Sequence, residues 1–416
     1  MGCVTCWILE LRQRGKLMSL DAEYVNDTLS DNLIASVSNL RVYFQSKQGM
    51  VHSVDGVSFD IVDGEMMGLV GETGCGKSVT ARAFMQLIQT PPGIVAGGKI
   101  SFKSQKANAG KEDLDLLKLN EKQIRELRGN RIAMIFQDPG KALNPGLTIK
   151  IQLGEVFQAH RENDVFEKAG ITSNISEFSQ FFLKKYVRQE VSIITWFVLK
   201  LPPFRNYRKK IDKAIGELVV EALAETQIPN PTKIMERYPH ELSGGMKQRV
   251  MIAQAIACNP DLLIADEPTT ALDVTVQARV LDLIKDLQKR HKTSVLYISH
   301  DLSLVRRICD RVAVMYAGKI VEAGDAETIF NNPKHPYTQG LIKALPSMTY
   351  ERGKLEAIEG MVPELIDPDS GCRFSSRCKQ KSAGCDTRDP ELMQLSDSDN
   401  SHKVSCFLYH AHGSGA

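Results

Sequence analysis

The apolar run Met66 to Val70 (MMGLV) passes directly into GETGCGKS, Gly71 to Ser78, and this junction constrains the fold more than any other stretch of the chain. The run reads as a strand buried on both faces. The eight residues after it fit the pattern G-x-x-x-x-G-K-S/T, a glycine-rich turn opening a helix near Lys77. Glycines let backbone N–H groups close around phosphate oxygens, and the helix N-terminus adds positive potential. The Lys77 ammonium is placed to reach the terminal phosphates of a nucleotide, and Ser78 to bind magnesium.

Four further apolar runs repeat the strand pattern: RIAMIF from Arg131, LLIA from Leu262, SVLYIS from Ser294 and RVAVMYAG from Arg311. Continuous runs are expected of strands covered on both faces of a mostly parallel sheet. Helical stretches such as 275–291 lie between some of them, so the fold class is α/β. Residues 35–62 alternate apolar and polar positions about a QGMV turn, which predicts a small antiparallel sheet packed on that core. From Gln137 to Leu242 the periodicity turns helical over too long a stretch for a loop, and an inserted helical subdomain is expected at about 140–258. Beyond about residue 346, Pro, Gly, Ser and Asp become dense and the periodicity fades. The expected division is a disordered extension at 1–33, a domain at 34–346 and a small loop-rich module at 347–416. The opening MGCVTCWILELRQRGKLM has neither the basic-then-apolar order of a signal peptide nor the Ser/Thr that a myristoylation motif needs at position 6, and Met18 is an alternative start.

Composition narrows the function classes. Hydrophobic residues make up 43% and charged residues 25% of the 416, the balance of a folded protein with a sizeable core. Lysine and arginine (52) almost cancel aspartate and glutamate (50), and a net charge of +2 leaves no large basic face for nucleic acid. No apolar run reaches the roughly 18 residues of a spanning helix, so association with a membrane is expected only through partners.

LLIADE, Leu262 to Glu267, ends a strand in two carboxylates at the edge where open α/β sheets bind ligands. Asp266 is placed to hold magnesium, and Glu267 to orient an attacking water or accept its proton. Standing alone, the pair is read as readily as a solvated turn. LSGGMKQR, Leu242 to Arg249, sets a serine and two glycines ahead of another helix N-terminus suited to phosphate. With this third element the chain resembles the ABC ATPase family over roughly residues 35–345, Met246 replacing a Gln of the family signature. The resemblance extends to Gln137 in FQDP, to ALD (Ala271 to Asp273) as the D-loop and to His300 in ISHD.

What the resemblance implies is a P-loop NTPase core of the ABC type with an antiparallel β subdomain, a helical subdomain and a small Cys-rich C-terminal module. ATP is then expected on Gly71, Glu72, Thr73, Gly74, Cys75, Gly76, Lys77, Ser78 and Val79, and Mg2+ on Ser78, Gln137 and Asp266. Catalysis falls to Glu267, His300 and Gln137. A head-to-tail dimer is also implied, in which Ser243, Gly244 and Gly245 grip an ATP held mainly by the partner, so that hydrolysis waits on closure. Phe44, with Tyr43 second, is the expected adenine-stacking aromatic, beside the plainer reading of a core aromatic on an edge strand.

NPKHPYTQGLIKALP (Asn332 to Pro346) and the run from YPHELSGG through ACNPDLLIADEPTTALDVTVQA resemble ATP-binding subunits of oligopeptide/dipeptide importers. That implies a homologous ATP-binding subunit as partner, identical or not, and two transmembrane permease subunits. It also implies an extracytoplasmic substrate-binding protein reached only indirectly, and a peripheral place on the cytoplasmic face of the cell membrane. Peptides are the implied cargo, with oligosaccharides or nickel as alternatives. A soluble ABC ATPase acting on DNA or ribosomes is the rival, but neither long heptad stretches nor a second cassette is present. A metal-sensing regulator is opposed by the complete set Lys77, Gln137, Glu267 and His300.

Nine cysteines without a secretion signal are expected to be reduced. Cys3, Cys6, Cys75, Cys258 and Cys309 are scattered, whereas Cys372, Cys378, Cys385 and Cys406 fall within 35 residues. Their spacing, C-x5-C-x6-C-x20-C, lacks the tight pairs of zinc ribbons. GCRFSSRC with Cys385 and Cys406 is similar to the four-cysteine element of the importer subfamily, which holds an iron–sulfur cluster in some members. A 4Fe-4S cluster acting as a structural clip is the expected metal group, with zinc or free thiols as the other readings. Residues 161–210 depart from the subfamily. They are expected to form an extra helical hairpin burying Phe181, Phe182, Trp196 and Phe197 against itself, or a surface for permease or lipid headgroups.

Overall fold

The computed structural model describes residues 32–103, 113–171, 176–190, 192–270, 272–345, 358–395 and 402–409. All but the last two residues of the expected N-terminal extension lie outside that set.

The alternating segment makes the first sheet. Strands β1 (Leu33–Gln45) and β2 (Met50–Val62) pair antiparallel. β3 (Met66–Val70) opens the second sheet, and the chain then returns to the first with β4 (Gly93–Lys103) and β5 (Asp113–Asp115), giving the order β2-β1-β4-β5. Asn39, in the left-handed region at φ 49, sits where the β1 register shifts. The shift returns Leu40 and Val42 to the face already occupied by Ala35 and Val37, and all four are buried.

The second sheet adds β6 (Ile132–Ile135), β7 (Leu262–Asp266), β8 (Ser294–Ser299), β9 (Arg311–Tyr316), β10 (Lys319–Asp325), β11 (Met393–Gln394) and β12 (Lys403–Val404). Its order is β11-β12-β10-β9-β3-β8-β7-β6, parallel from β9 to β6 and antiparallel beyond. Successive residues face opposite cores. Met66, Ala133, Leu263, Val295 and Val312 enter one, while Met67, Met134, Ile264, Leu296 and Ala313 enter the other. Two buried faces explain why these strands read as unbroken apolar runs rather than alternating ones. The second core is shared with the antiparallel sheet.

Helix α1 (Lys77–Phe84) follows the glycine-rich turn, and α2 (Glu121–Leu127) precedes β6. Between β6 and β7 lie α3 (Pro139–Ala142), α4 (Ile149–His160), α5 (Glu162–Lys168), α6 (Glu177–Val187), α7 (Ile193–Leu199), α8 (Pro202–Glu225), α9 (Pro231–Ile234) and α10 (Gly244–Ile256), with a core of their own. α11 (Val274–His291), α12 (Leu302–Ile308), α13 (Ala326–Asn331) and α14 (Pro336–Lys343) complete the α-helices among the described residues. Of the hairpin expected within 161–210, Phe182 is buried and meets Phe204 edge-on. The burial expected of the other three does not occur: Phe181, Trp196 and Phe197 are 53%, 47% and 62% exposed. α6 and α7 are short, and Leu183, Val187 and Leu199 fill the inward stripe in their place.

The C-terminal segment is built into the second sheet. β12 pairs with β10, covering what would otherwise be an open edge. Phe374 is buried in the same core as Tyr316 and Tyr337. Beneath this junction the fully buried Glu322 accepts hydrogen bonds from His402 Nε2 (2.8 Å) and from the backbone N–H groups of Lys334 (2.6 Å) and His335 (2.9 Å).

Candidate nucleotide site

β3 ends against the glycine-rich turn, where the backbone leaves no room for side chains. A Cβ on Gly71 would lie 2.0 Å from the Met315 carbonyl oxygen, and one on Gly76 2.2 Å from that of Ser53; both residues also have positive φ. The turn is tied to the sheet by the Gly318 N–H donating to the Cys75 carbonyl (3.0 Å). Lys77, almost fully buried, folds its ammonium onto the carbonyls of Gly71 (2.8 Å) and Glu72 (2.9 Å).

Ser78, on the first turn of α1, donates to Asp266 Oδ1 at 2.8 Å, which joins the glycine-rich turn to the end of β7 across 188 positions of sequence. Burial pushes the Asp266 carboxyl up, and the Ser78 hydroxyl pulls it back toward the ionised form. Glu267 follows in a left-handed backbone conformation, φ 47, that non-glycine residues seldom adopt. Its N–H donates to the Ile298 carbonyl (3.0 Å). Each carboxylate oxygen has a partner from another element: Gln137 Nε2 (2.9 Å) and Thr270 Oγ1 (3.0 Å) on Oε2, and His300 Nδ1 (3.0 Å) on Oε1. Lys77, Ser78, Asp266, Glu267, Gln137 and His300 are thus linked around the carboxyl ends of β3, β6, β7 and β8, where open α/β sheets place their ligands. Thr270 escaped the sequence reading, although it lies three residues after Glu267 and was legible as a neighbour.

Ser243, Gly244 and Gly245 stand apart from this cluster, at the start of α10. The exposed Ser243 spends its hydroxyl on the Met246 N–H (3.3 Å). A Cβ on Gly244 or Gly245 would touch Leu272 or Val276, so the signature turn rests on the start of α11, which Asp273 caps through the Val276 N–H (3.0 Å). Ala271 lies outside the described residues. Of the two aromatics, Phe44 packs on the core beside Gly93, while Tyr43 stacks on His52 (4.0 Å between centroids) and donates to Asp55 Oδ1 (2.8 Å).

Cys372, Cys378, Cys385 and Cys406 are free; the Ser382 N–H donates to Cys385 Sγ (3.5 Å), and the Ser382 hydroxyl lies 3.2 Å from the same sulfur. Burial pushes the Cys372 thiol up to about 11, and the other three thiols add to the rise. Among the described residues no group of three or more His, Cys, Asp or Glu side chains could hold a metal ion.

A family model described as ABC transporter matches residues 54–270, and one described as the C-terminal region of oligopeptide/dipeptide transporters matches residues 321–385. The chain is 40% identical over 375 residues to the dipeptide transport ATP-binding protein DppD of Bacillus subtilis (strain 168), covering 90% of this chain and 94% of that one. It is 40% identical over 380 residues to the oligopeptide transport ATP-binding protein AppD of the same organism, covering 91% and 98%. Against the dipeptide transport ATP-binding protein DppD of Escherichia coli (strain K12) it is 37% identical over 364 residues, covering 88% and 94%.

Proposed function

The chain belongs to the ABC transporter family, and from that premise we propose that it is the ATP-hydrolysing subunit of an importer of di- and oligopeptides. The observation that carries the chemistry is the convergence of Gln137 and His300 on Glu267 beside the Ser78–Asp266 pair. The peptide cargo is supported by the names of the relatives and by the match over residues 321–385.

In hydrolysis, the loop amides from Gly71 to Val79 and the Lys77 ammonium, swung from its loop carbonyls, hold the phosphates. Ser78 and Asp266, with Gln137, would hold Mg2+, which supplies charge neutralisation on the phosphates. Glu267 accepts a hydrogen bond from the attacking water and takes its proton as the oxygen adds to the γ-phosphorus. The bond to the bridging oxygen breaks, and ADP leaves with that electron pair. Gln137 and His300 fix the carboxylate for this role from either side. The exposed Ser243 to Gly245 turn, resting on the D-loop helix, suits contact with an ATP held by a homologous subunit, identical or not, in a head-to-tail dimer. Tyr43 and Phe44 are the aromatics nearest the role of stacking on adenine, and the occupied ring face of Tyr43 favours Phe44.

Among the described residues no helix is long and apolar enough to cross a membrane, and we place the protein peripherally on the cytoplasmic face, docked on two permease subunits. A groove lined by Met134, Phe136, Gln152, Val156 and Met251, beside Gln137, is the proposed permease contact. The substrate-binding protein acts from outside, through the permease. In the cysteine segment the Ser382 N–H on Cys385 Sγ (3.5 Å) is the kind of bond a thiolate ligand accepts. The spacing of the four lacks the tight C-x2-C pairs of zinc ribbons. On that spacing a 4Fe-4S cluster on Cys372, Cys378, Cys385 and Cys406 is the proposed group, in preference to zinc.

Replacing Glu267 tests the reading. Glu267→Gln should keep ATP binding and lower turnover by roughly 10²-fold or more, as loss of a positioned base does. Lys77→Ala should weaken ATP binding itself. Turnover of Glu267→Gln within a few-fold of wild type, measured as phosphate release by the full-length dimer, would remove the assignment.

A further inference from the structure

Glu72 is held at three points, and two of the holding groups come from the C-terminal third of the chain. Its N–H donates to Tyr337 Oη (3.0 Å), and its carbonyl accepts from Lys77 Nζ (2.9 Å). Its carboxylate is gripped by the Arg377 fork, Nη1 to Oε2 at 3.0 Å and Nη2 to Oε1 at 3.3 Å, across 305 positions of sequence. The Arg377 side chain is only 5% exposed. All of its five N–H groups are used: Nε on the Glu359 carbonyl (3.0 Å), Nη1 on Tyr316 Oη (3.3 Å) and Nη2 on the Ile358 carbonyl (3.2 Å), besides the two on Glu72.

Glu72 is an acidic residue in a loop whose ligand is a polyphosphate. A free carboxylate there opposes binding through like charge, while a paired one does not. We propose that Arg377 is a positioning residue of the nucleotide site: it neutralises and orients Glu72, and so makes the affinity of the loop for ATP depend on the folded cysteine segment. Arg377 directly precedes Cys378, so the turn that carries the guanidinium is the turn that carries two of the four thiols. The other arginine of GCRFSSRC anchors the same turn on β2, Arg373 Nη2 to Asp55 Oδ2 at 2.7 Å, two residues from the Ser53 carbonyl that walls the loop at Gly76. A lysine keeps the charge and loses the fork.

The proposal rests on the ATP-binding reading of the loop, which the wild-type titration checks separately. The experiment is calorimetric titration of the full-length protein with a non-hydrolysable ATP analogue and Mg2+. Arg377→Gln should raise Kd about ten-fold at low salt and clearly less at 1 M salt, where the screening length falls to about 3 Å. Turnover at saturating ATP should change much less than KM. In a Glu72→Gln background, adding Arg377→Gln should change Kd by no more than about two-fold, because the charge to be neutralised is gone. Arg377→Lys should recover part of the affinity, and the same cycle can be run with it if the glutamine variant fails to fold. Wild-type affinity in Arg377→Gln, or an equal loss in the Glu72→Gln background, would overturn the proposal; the latter would reduce Arg377 to a prop for the C-terminal segment.

Discussion

Glu267 shows how much a single residue of this site costs the fold. Its left-handed backbone stores on the order of 1–3 kcal/mol, offset by the bonds to Ile298, Gln137, Thr270 and His300 that hold the carboxylate in place. His335 is a second residue whose surroundings have a measurable price. It is buried, its Nδ1 accepts the Tyr337 N–H at 3.1 Å, and burial pulls its pKa from 6.5 down to about 4, Glu322 opposing the fall. Between those two values the unfolded chain binds a proton that the native one refuses. Stability therefore falls as pH drops from about 6.5 to about 4, by roughly 3 kcal/mol in all, and above that window this residue adds no pH dependence. His335→Asn keeps an acceptor and cannot titrate. Denaturant unfolding of the variant should show a slope against pH shallower by about one proton in that window; superimposable profiles would mean that His335 is protonated in the native state.

At the scale of elements, the inserted helices divide into a packed part and a presented part. α4, α8 and α10 share a continuous core, whereas α6 and α7 leave Phe178, Phe181, Trp196 and Phe197 at the surface, with Lys185 over the Phe181 ring (4.5 Å) and Lys200 over Trp196 (3.4 Å). The ammonium groups shield aromatic faces that the short helices cannot bury. The groove between the end of β6 and helices α4 and α10 exposes Phe136 beside Gln137. Phe136→Asp is expected to leave ATP hydrolysis by the isolated chain within about two-fold and to abolish its coupling to the permease in reconstituted vesicles, since a carboxylate cannot enter an apolar contact unpaired. Coupled transport at the wild-type rate would move the permease contact elsewhere.

For the molecule as a whole, the C-terminal segment is the part whose role changes most between chain and fold. It contributes β11 and β12 to the main sheet, Phe374 to its core, His402 to the buried Glu322, Arg377 to Glu72 of the nucleotide loop and Arg373 to Asp55 of β2. Loss of the proposed cluster should therefore be felt beyond the segment. Anaerobically purified protein is expected to carry about four irons per chain with visible absorption, and Cys385→Ser to lose both together with some ATP affinity. One zinc per chain without iron, or four freely titrating thiols, would exclude the cluster.

The strands, the class of the fold and the motif residues were legible in the chain itself, because each rests on local pattern: two-faced burial makes MMGLV and LLIAD unbroken apolar runs, and a phosphate loop requires its glycines within a few residues of its lysine. The Gln137–Glu267–His300 cluster could be anticipated only through a family resemblance, since its members come from three separate strand ends. Burial of Phe182 without Phe181, capture of the β10 edge by β12 and the grip of Arg377 on Glu72 were decided by tertiary structure alone. Each depends on which distant surfaces meet, and a side chain carries no record of its partner's position along the chain.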